Sequence, residues 1–187
     1  MRMHPVYKVP KFHRGVDIAT TPSTGPLYAF VAGEVIHAKQ GVKGSGFGGY
    51  GTVVAIKDDN GYLHCYAHLT MAMVQVGDKV LRGEKVGLQG STGISTGAHL
   101  HYEIRKACSP SFGFTDTESG VVEPTMYLQD YYSKEELLKV DKKDANAIID
   151  KYLKPAWELA KTPADKKEIG RLADELRVAS GQPKQNV

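Results

Sequence analysis

Ser95-Thr96-Gly97-Ala98-His99-Leu100-His101-Tyr102-Glu103-Ile104 is the stretch on which the fold turns. On a β-strand successive side chains point to opposite faces, so His99, His101 and Glu103 share one side. Leu100, Tyr102 and Ile104 take the other, which reads as the buried face. A helix would set the two histidines roughly 200° apart. Two imidazoles on one face form half of a metal-and-base arrangement.

Further donors lie upstream. His13-Arg14-Gly15-Val16-Asp17 offers an imidazole and a carboxylate four residues apart, on one side of either a helix or an extended segment. Zinc accepts both donor types, and a catalytic zinc keeps three protein ligands and one open position. His13, Asp17 and one histidine of the pair satisfy that count. Tyr66-Ala67-His68-Leu69 adds a histidine near a strand end. Singly these motifs are unspecific, since a lone histidine is more often a structural residue than a ligand. Their combination and order are far more selective.

With those flanks, residues 2 to about 128 resemble the lysostaphin-like zinc metallopeptidases that cut peptidoglycan cross-bridges. The matching runs are Phe12-His13-Arg14-Gly15-Val16-Asp17-Ile18-Ala19, Leu27-Tyr28-Ala29, Gly33-Glu34-Val35 and Gly49-Tyr50-Gly51-Thr52-Val53-Val54. Tyr66-Ala67-His68-Leu69, Val76-Gly77-Asp78-Lys79-Val80, Gly90-Ser91-Thr92-Gly93 and the stretch around His99 and His101 complete the set. The resemblance implies a mainly β fold whose antiparallel sheets form an open groove related to barrel-sandwich folds. It implies one zinc ion on His13, Asp17 and His101, with His68 and His99 as the catalytic pair. Zinc-bound water would attack the scissile carbonyl, with the two histidines moving protons. Related enzymes also use a tyrosine hydroxyl near the metal, which makes Tyr7, six residues before His13, a further candidate. Glu103 shares a face with His101 and is a candidate to accept the N–H that a ligating imidazole donates, and with Tyr7 it is a candidate to meet substrate or the transition state. The substrates implied are stem or cross-bridge peptides of the bacterial cell wall, met by a secreted or virion-associated enzyme such as a phage or prophage tail lysin.

The glycine-rich run Gly41–Gly51 does not favour regular structure. It lacks GxxxxGK[ST] and reads as a wall of the substrate groove rather than a nucleotide loop. The formal charge of +3 on 187 residues is too small to argue for nucleic acid. There is no apolar run of about 18 residues to cross a membrane, and Met1-Arg2-Met3-His4-Pro5 opens no signal peptide. Relatives place a strand before the Arg-x-His-Pro segment, so the chain reads as an excised domain, expected to act as a monomer. Cys65 reads as a small buried residue and Cys108 as a loop residue, too few for a disulfide framework.

Short strands from Pro26 to Ile104 give an all-β pattern. Leu27–Ala32 and Gly33–Ala38 read as a pair. Gly51–Lys57 and Tyr62–His68 read as a hairpin across Asp58-Asp59-Asn60-Gly61. Val74–Val76, Val80 and Lys85–Leu88 read as further short strands. The peptidase domain is expected over residues 1–128 and a helical module over 129–187. In the module, Ser133-Lys134-Glu135-Glu136 reads as a capping box, Pro155 as an interruption, and Thr162-Pro163 as a helix start. Two other readings compete. Val76–Val80 and Gly83–Val86 echo half of a biotinyl or lipoyl carrier motif, without the required lysine context. A non-catalytic tail-tip or wall-binding module with the same fold would be expected to lose metal ligands, and this chain keeps them all.

Overall fold

The computed structural model describes residues 2–3, 8–137 and 141–185. Its strands are β1 (Arg2–Met3), β2 (Pro10–Lys11), β3 (Val16–Ile18), β4 (Pro26–Tyr28), β5 (Gly33–Gln40) and β6 (Thr52–Lys57). They continue as β7 (Leu63–Leu69), β8 (Met71–Ala72), β9 (Lys79–Val80), β10 (Lys85–Leu88), β11 (Leu100–Arg105) and β12 (Val121–Val122). The pairings among these strands are antiparallel. One open sheet runs β12-β11-β7-β6-β5-β9, with β3 beside β11, and a smaller one runs β4-β10-β8.

The central hairpin forms as the Asn-Gly step predicts. Gly61 takes a positive φ, and Lys57 faces Leu63 across the turn. Both faces of the large sheet are covered. Val54, Ile56, Tyr66, Leu100, Tyr102 and Ile104 pack into one apolar cluster, whereas Val53, Ala55, Leu63, Cys65 and Ala67 join Phe47 in another. The alternation read for the histidine strand therefore holds, but its second face is buried too: Glu103 and Arg105 are inaccessible to solvent.

Three local expectations are corrected. β4 pairs with β10 and not with the strand that follows it. The Phe30 amide donates to the Tyr66 hydroxyl at 2.7 Å and the Ala32 amide to the Tyr131 hydroxyl at 3.2 Å, so the chain leaves one sheet for the other between them. Residues 74–76 form no strand, because the Asp78 carboxylate captures the Gln75 amide at 2.8 Å and makes a turn. The first helix, α1 (Pro124–Leu137), starts well before the capping box at Ser133. Its cap is Glu123, which accepts from the Thr125 and Met126 amides, with Pro124 at the first position.

Contact patterns divide the chain into two units, Met1–Tyr131 and Tyr132–Val187. The second contains α2 (Lys142–Ile148), α3 (Lys154–Leu159) and α4 (Pro163–Ala179). A π-helical turn at Ile149–Leu153 joins α2 to α3 and absorbs Pro155 without a break. Thr162 caps α4 through the Asp165 amide, and Gly181 follows its end with a positive φ. No described helix is long and apolar enough to cross a membrane.

A polar network ties α1 to the hairpin. Asp58 accepts from His64 Nε2 at 3.1 Å, from the Tyr127 hydroxyl and from the Tyr62 amide at 2.8 Å. The Tyr102 hydroxyl meets His64 Nδ1 at 2.7 Å. Burial acts to raise the Asp58 pKa, but the hydrogen bonds from His64, Tyr127 and the Tyr62 amide outweigh it and hold the carboxyl below its usual range. Such a group contributes stability that is full above the unfolded pKa of about 4 and is lost as pH falls through the lower folded value. Urea unfolding of Asp58→Ala should therefore show a loss of about 1–3 kcal/mol at pH 7, with the difference from the parent narrowing toward pH 2. Equal differences at both pH values would mean that the ionisation of Asp58 contributes nothing.

Candidate metal centre

The site is built on a cross-strand pair. In the β3–β11 ladder Asp17 stands directly opposite His101, and on the other side of β11 His101 faces Ala67 of β7. Gly15, two residues before Asp17, permits this approach. A Cβ there would lie 2.0 Å from the Tyr102 carbonyl oxygen and 2.7 Å from Glu103 Cβ. The segment carrying His13 thus crosses close over the histidine strand because nothing projects from residue 15.

Three donor atoms converge. His13 Nε2 lies 3.1 Å from Asp17 Oδ1 and 3.1 Å from His101 Nδ1, and His101 Nδ1 lies 2.9 Å from Asp17 Oδ1. A tetrahedral zinc with bonds of 2.0–2.2 Å would separate its donors by about 3.3 Å. Protons alone do not account for the triangle. The oxygen can only accept, and two nitrogens facing both it and each other cannot make all three contacts favourable at once. Among the described residues these three form the one His/Cys/Asp/Glu group able to hold a metal ion. The electrostatics agree: burial would lower the His101 pKa, but hydrogen bonds to Asp17 and Glu103 carry it up to about 8. The pocket favours positive charge at that nitrogen, and a cation in place of the proton satisfies the same field.

Behind the candidate donor, His101 Nε2 meets Glu103 Oε2 at 2.9 Å. The Tyr50 hydroxyl donates to the same oxygen at 3.0 Å, and Arg105 Nε donates to Oε1 at 2.5 Å. Burial acts to raise the Glu103 pKa, yet His101 and Arg105 push it down to about 2. Glu103 is therefore an enclosed acceptor for the imidazole N–H, not a group facing substrate.

His68 and His99 flank the donors. Their ring centroids lie 4.9 Å apart, and His68 lies 6.0 Å from His101. His68 Nδ1 is 2.8 Å from the Thr92 carbonyl and His99 Nδ1 is 2.8 Å from the Gly97 carbonyl. A carbonyl only accepts, so each ring carries its proton on Nδ1, and the neutral ring keeps a bare Nε2. His99 Nε2 lies 3.7 Å from Asp17 Oδ1.

Tyr7 lies outside the described residues. Two residues that motif reading passed over emerge instead. Tyr50 stacks 6.5 Å from His68 and meets His101 edge-on at 5.6 Å, so one phenol ring packs against both imidazoles. Arg14, between His13 and Asp17 in sequence, holds the Thr115 carbonyl and the Asp116 carboxylate, with its guanidinium 4.4 Å over the Phe114 ring. An aromatic between glycines and an arginine inside the His-x-x-x-Asp run were the available signals.

Comparison with known proteins now decides the family. Residues 11–112 match the model for Peptidase family M23. The chain belongs to that family. It is 43% identical over 104 residues to the DD-carboxypeptidase/endopeptidase Mpg of Neisseria meningitidis, covering 56% of this chain and 22% of that protein. It is 39% identical over 103 residues to the peptidoglycan DD-endopeptidase ShyA of Vibrio cholerae, covering 55% and 22%. The chain thus spans about a fifth of those two relatives. Among solved structures, the catalytic domain of lysostaphin from Staphylococcus simulans superposes with a TM-score of 0.51 at 29% identity, covering 63% of this chain and 79% of that one. The catalytic domain of the prophage-encoded M23 protein EnpA from Enterococcus faecalis gives 0.51 at 34% identity, covering 64% and 81%. The open, lysostaphin-like β architecture read from the sequence is the one observed.

Glu103→Gln should weaken the affinity for a divalent transition metal about 10- to 100-fold, the usual cost of losing the partner of a ligating imidazole. Competition against a chromogenic chelator measures this, and unchanged affinity would remove Glu103 from the orientation of His101.

Proposed function

We propose that this domain is a zinc-dependent endopeptidase that hydrolyses peptide cross-links of bacterial peptidoglycan. The observation that carries the reading is the donor triangle of His13, Asp17 and His101 with two tautomer-set imidazoles beside it. His13 Nε2, Asp17 Oδ1 and His101 Nδ1 would hold one zinc ion. When bound, zinc supplies Lewis acidity toward a carbonyl oxygen and toward water.

The remaining work falls to the chain. Hydrolysis of an amide takes one proton from water and delivers one to the leaving amine. In the Nδ1–H tautomer His68 and His99 each keep Nε2 free to accept a proton and return it, and His99 Nε2 lies 3.7 Å from Asp17 Oδ1. Burial pushes the His68 pKa down to about 4, so its ring enters the reaction neutral. The Nδ1–H groups donate to the Thr92 and Gly97 carbonyls, which holds the orientation of both rings through the cycle. Asp17 and Glu103 supply the negative charge that compensates the cation and the His101 ring.

The named activities of Mpg and ShyA support a peptidoglycan substrate, and stem or cross-bridge peptides are the class proposed. Action at the cell wall follows from that substrate, and a monomeric domain is the proposed state. A phage or prophage lysin is the proposed setting, supported by the prophage origin of EnpA. Purified cell walls of two cross-link types, digested and weighed by mass spectrometry, distinguish cleavage at Gly-Gly, D-Ala-Gly and D-Ala-diaminopimelate bonds. Clearing of walls by the metal-free protein would overturn the reading. His101→Ala should lose both metal and activity. His99→Ala should retain zinc and lose turnover by at least about 10²-fold, the scale of a lost general acid–base group. Metal content and wall-clearing rates check both variants.

A further inference from the structure

His68 faces the metal donors against the rule of its own strand. Tyr66 packs in the apolar cluster with Tyr102, and alternation would send His68 to that same side. The ladder shows why it does not. Thr52 pairs with Leu69 and Val54 with Tyr66, so two steps along β6 are matched by three along β7. The extra residue is a β-bulge, with His68 at φ +63°, a left-handed conformation uncommon for a side chain of this size. Leu69 then returns to the apolar cluster. The bulge is the device that turns this imidazole to the site.

One residue touches the bulge at four points. The Thr92 hydroxyl accepts from the Thr52 amide at 2.9 Å and donates to the Leu69 carbonyl at 2.7 Å, bridging β6 and β7 at the pair beside the extra residue. The Thr92 carbonyl holds His68 Nδ1 at 2.8 Å, and its amide reaches the His68 carbonyl at 3.4 Å. The loop that presents Thr92 is keyed in place. A Cβ on Gly93, at φ +74°, would lie 2.3 Å from the Gly51 nitrogen and 2.4 Å from the Gly49 oxygen. The Ile94 amide donates to Gly49 at 2.7 Å, and the His68 amide donates to Tyr50 at 2.9 Å.

We propose that Thr92 is a positioning residue for catalysis: its hydroxyl wedges open the β7 bulge that turns His68 toward the metal donors, while its carbonyl selects the tautomer of that ring. Because the wedge joins two main chains, its loss lets the bulge relax and the ring drift. A misplacement on the order of 1 Å costs about 10²-fold in rate. The proposal rests on His68 acting in turnover.

The test compares Thr92→Val, equal in shape but without the hydroxyl, with Thr92→Ser, which restores it. Thr92→Val should bind metal as the parent does and lower kcat about 10- to 100-fold with KM little changed. Thr92→Ser should recover most of the rate. In a His68→Ala background, Thr92→Val should lower the residual rate no further, whereas a general structural role would lower it again. Long-range ¹H–¹⁵N correlation spectra report the His68 tautomer without turnover: one Nδ1–H form in the parent, a mixture in Thr92→Val. A parent with no activity but the expected tautomer change would reject the enzymatic reading and keep the wedge. Unchanged kcat together with an unchanged tautomer in Thr92→Val would overturn the proposal.

Discussion

A fully enclosed ion pair, Glu103 with Arg105, is the constraint on which the site depends. Two charges removed from water are tolerated only where hydrogen bonds satisfy the atoms that carry them. Among the described residues no buried side-chain nitrogen or oxygen lacks a partner, and the partners of this pair fix different parts of the molecule. One carboxylate oxygen orients the His101 ring and receives the Tyr50 hydroxyl. The guanidinium reaches the Phe112 carbonyl at 3.0 Å and the Gly46 carbonyl at 3.1 Å, and lies 4.6 Å from the Phe47 ring. The loops on either side, around residues 41–51 and 109–117, are thereby tied to the acceptor that aims a metal donor. Removing one partner would strand a buried charge at a cost of about 3–5 kcal/mol, so loops and ligand stand or fall together.

That dependence changes how the glycine-rich run reads. Its composition suggests a loose groove wall. Phe47 in its middle is nevertheless fully buried against His37 and Phe112. The glycines permit tight turns, and the aromatic fixes them. Arg14 does the same for residues 114–116. The loops beside the site are therefore held by two arginines, Arg105 at the end of β11 and Arg14 just before β3, which composition alone does not reveal.

What the sequence makes legible follows the range of the physics involved. His99, His101 and Glu103 are readable because strand alternation acts over two residues. The Asp58–Gly61 turn and the Thr162-Pro163 helix start are readable because their chemistry is local. His68 is visible as a histidine but not as a neighbour of His101, since alternation puts it on the wrong face and only the ladder register shows the extra residue. β4 is mispaired by proximity, because the hydroxyls of Tyr66 and Tyr131 that redirect the chain come from far along it. The start of α1 is missed for a different reason: a local cap at Ser133 is a good signal that a stronger one at Glu123 and Pro124 precedes.

The groups behind the His101 and His68 imidazoles give the site its direction. His101 is enclosed between two carboxylates that draw positive charge to it. His68 is comparably enclosed but faces only a carbonyl through Nδ1, and burial disfavours its charged form. Two rings of one residue type, 6.0 Å apart, are thus driven oppositely by what lies behind them. A cation placed at the donor triangle would deepen the contrast, since like charge further disfavours protonation of His68 while the carboxylates remain satisfied. The separation of the two charge preferences therefore requires no difference in side-chain chemistry. It follows from placing acids behind one strand position and a main-chain carbonyl behind another.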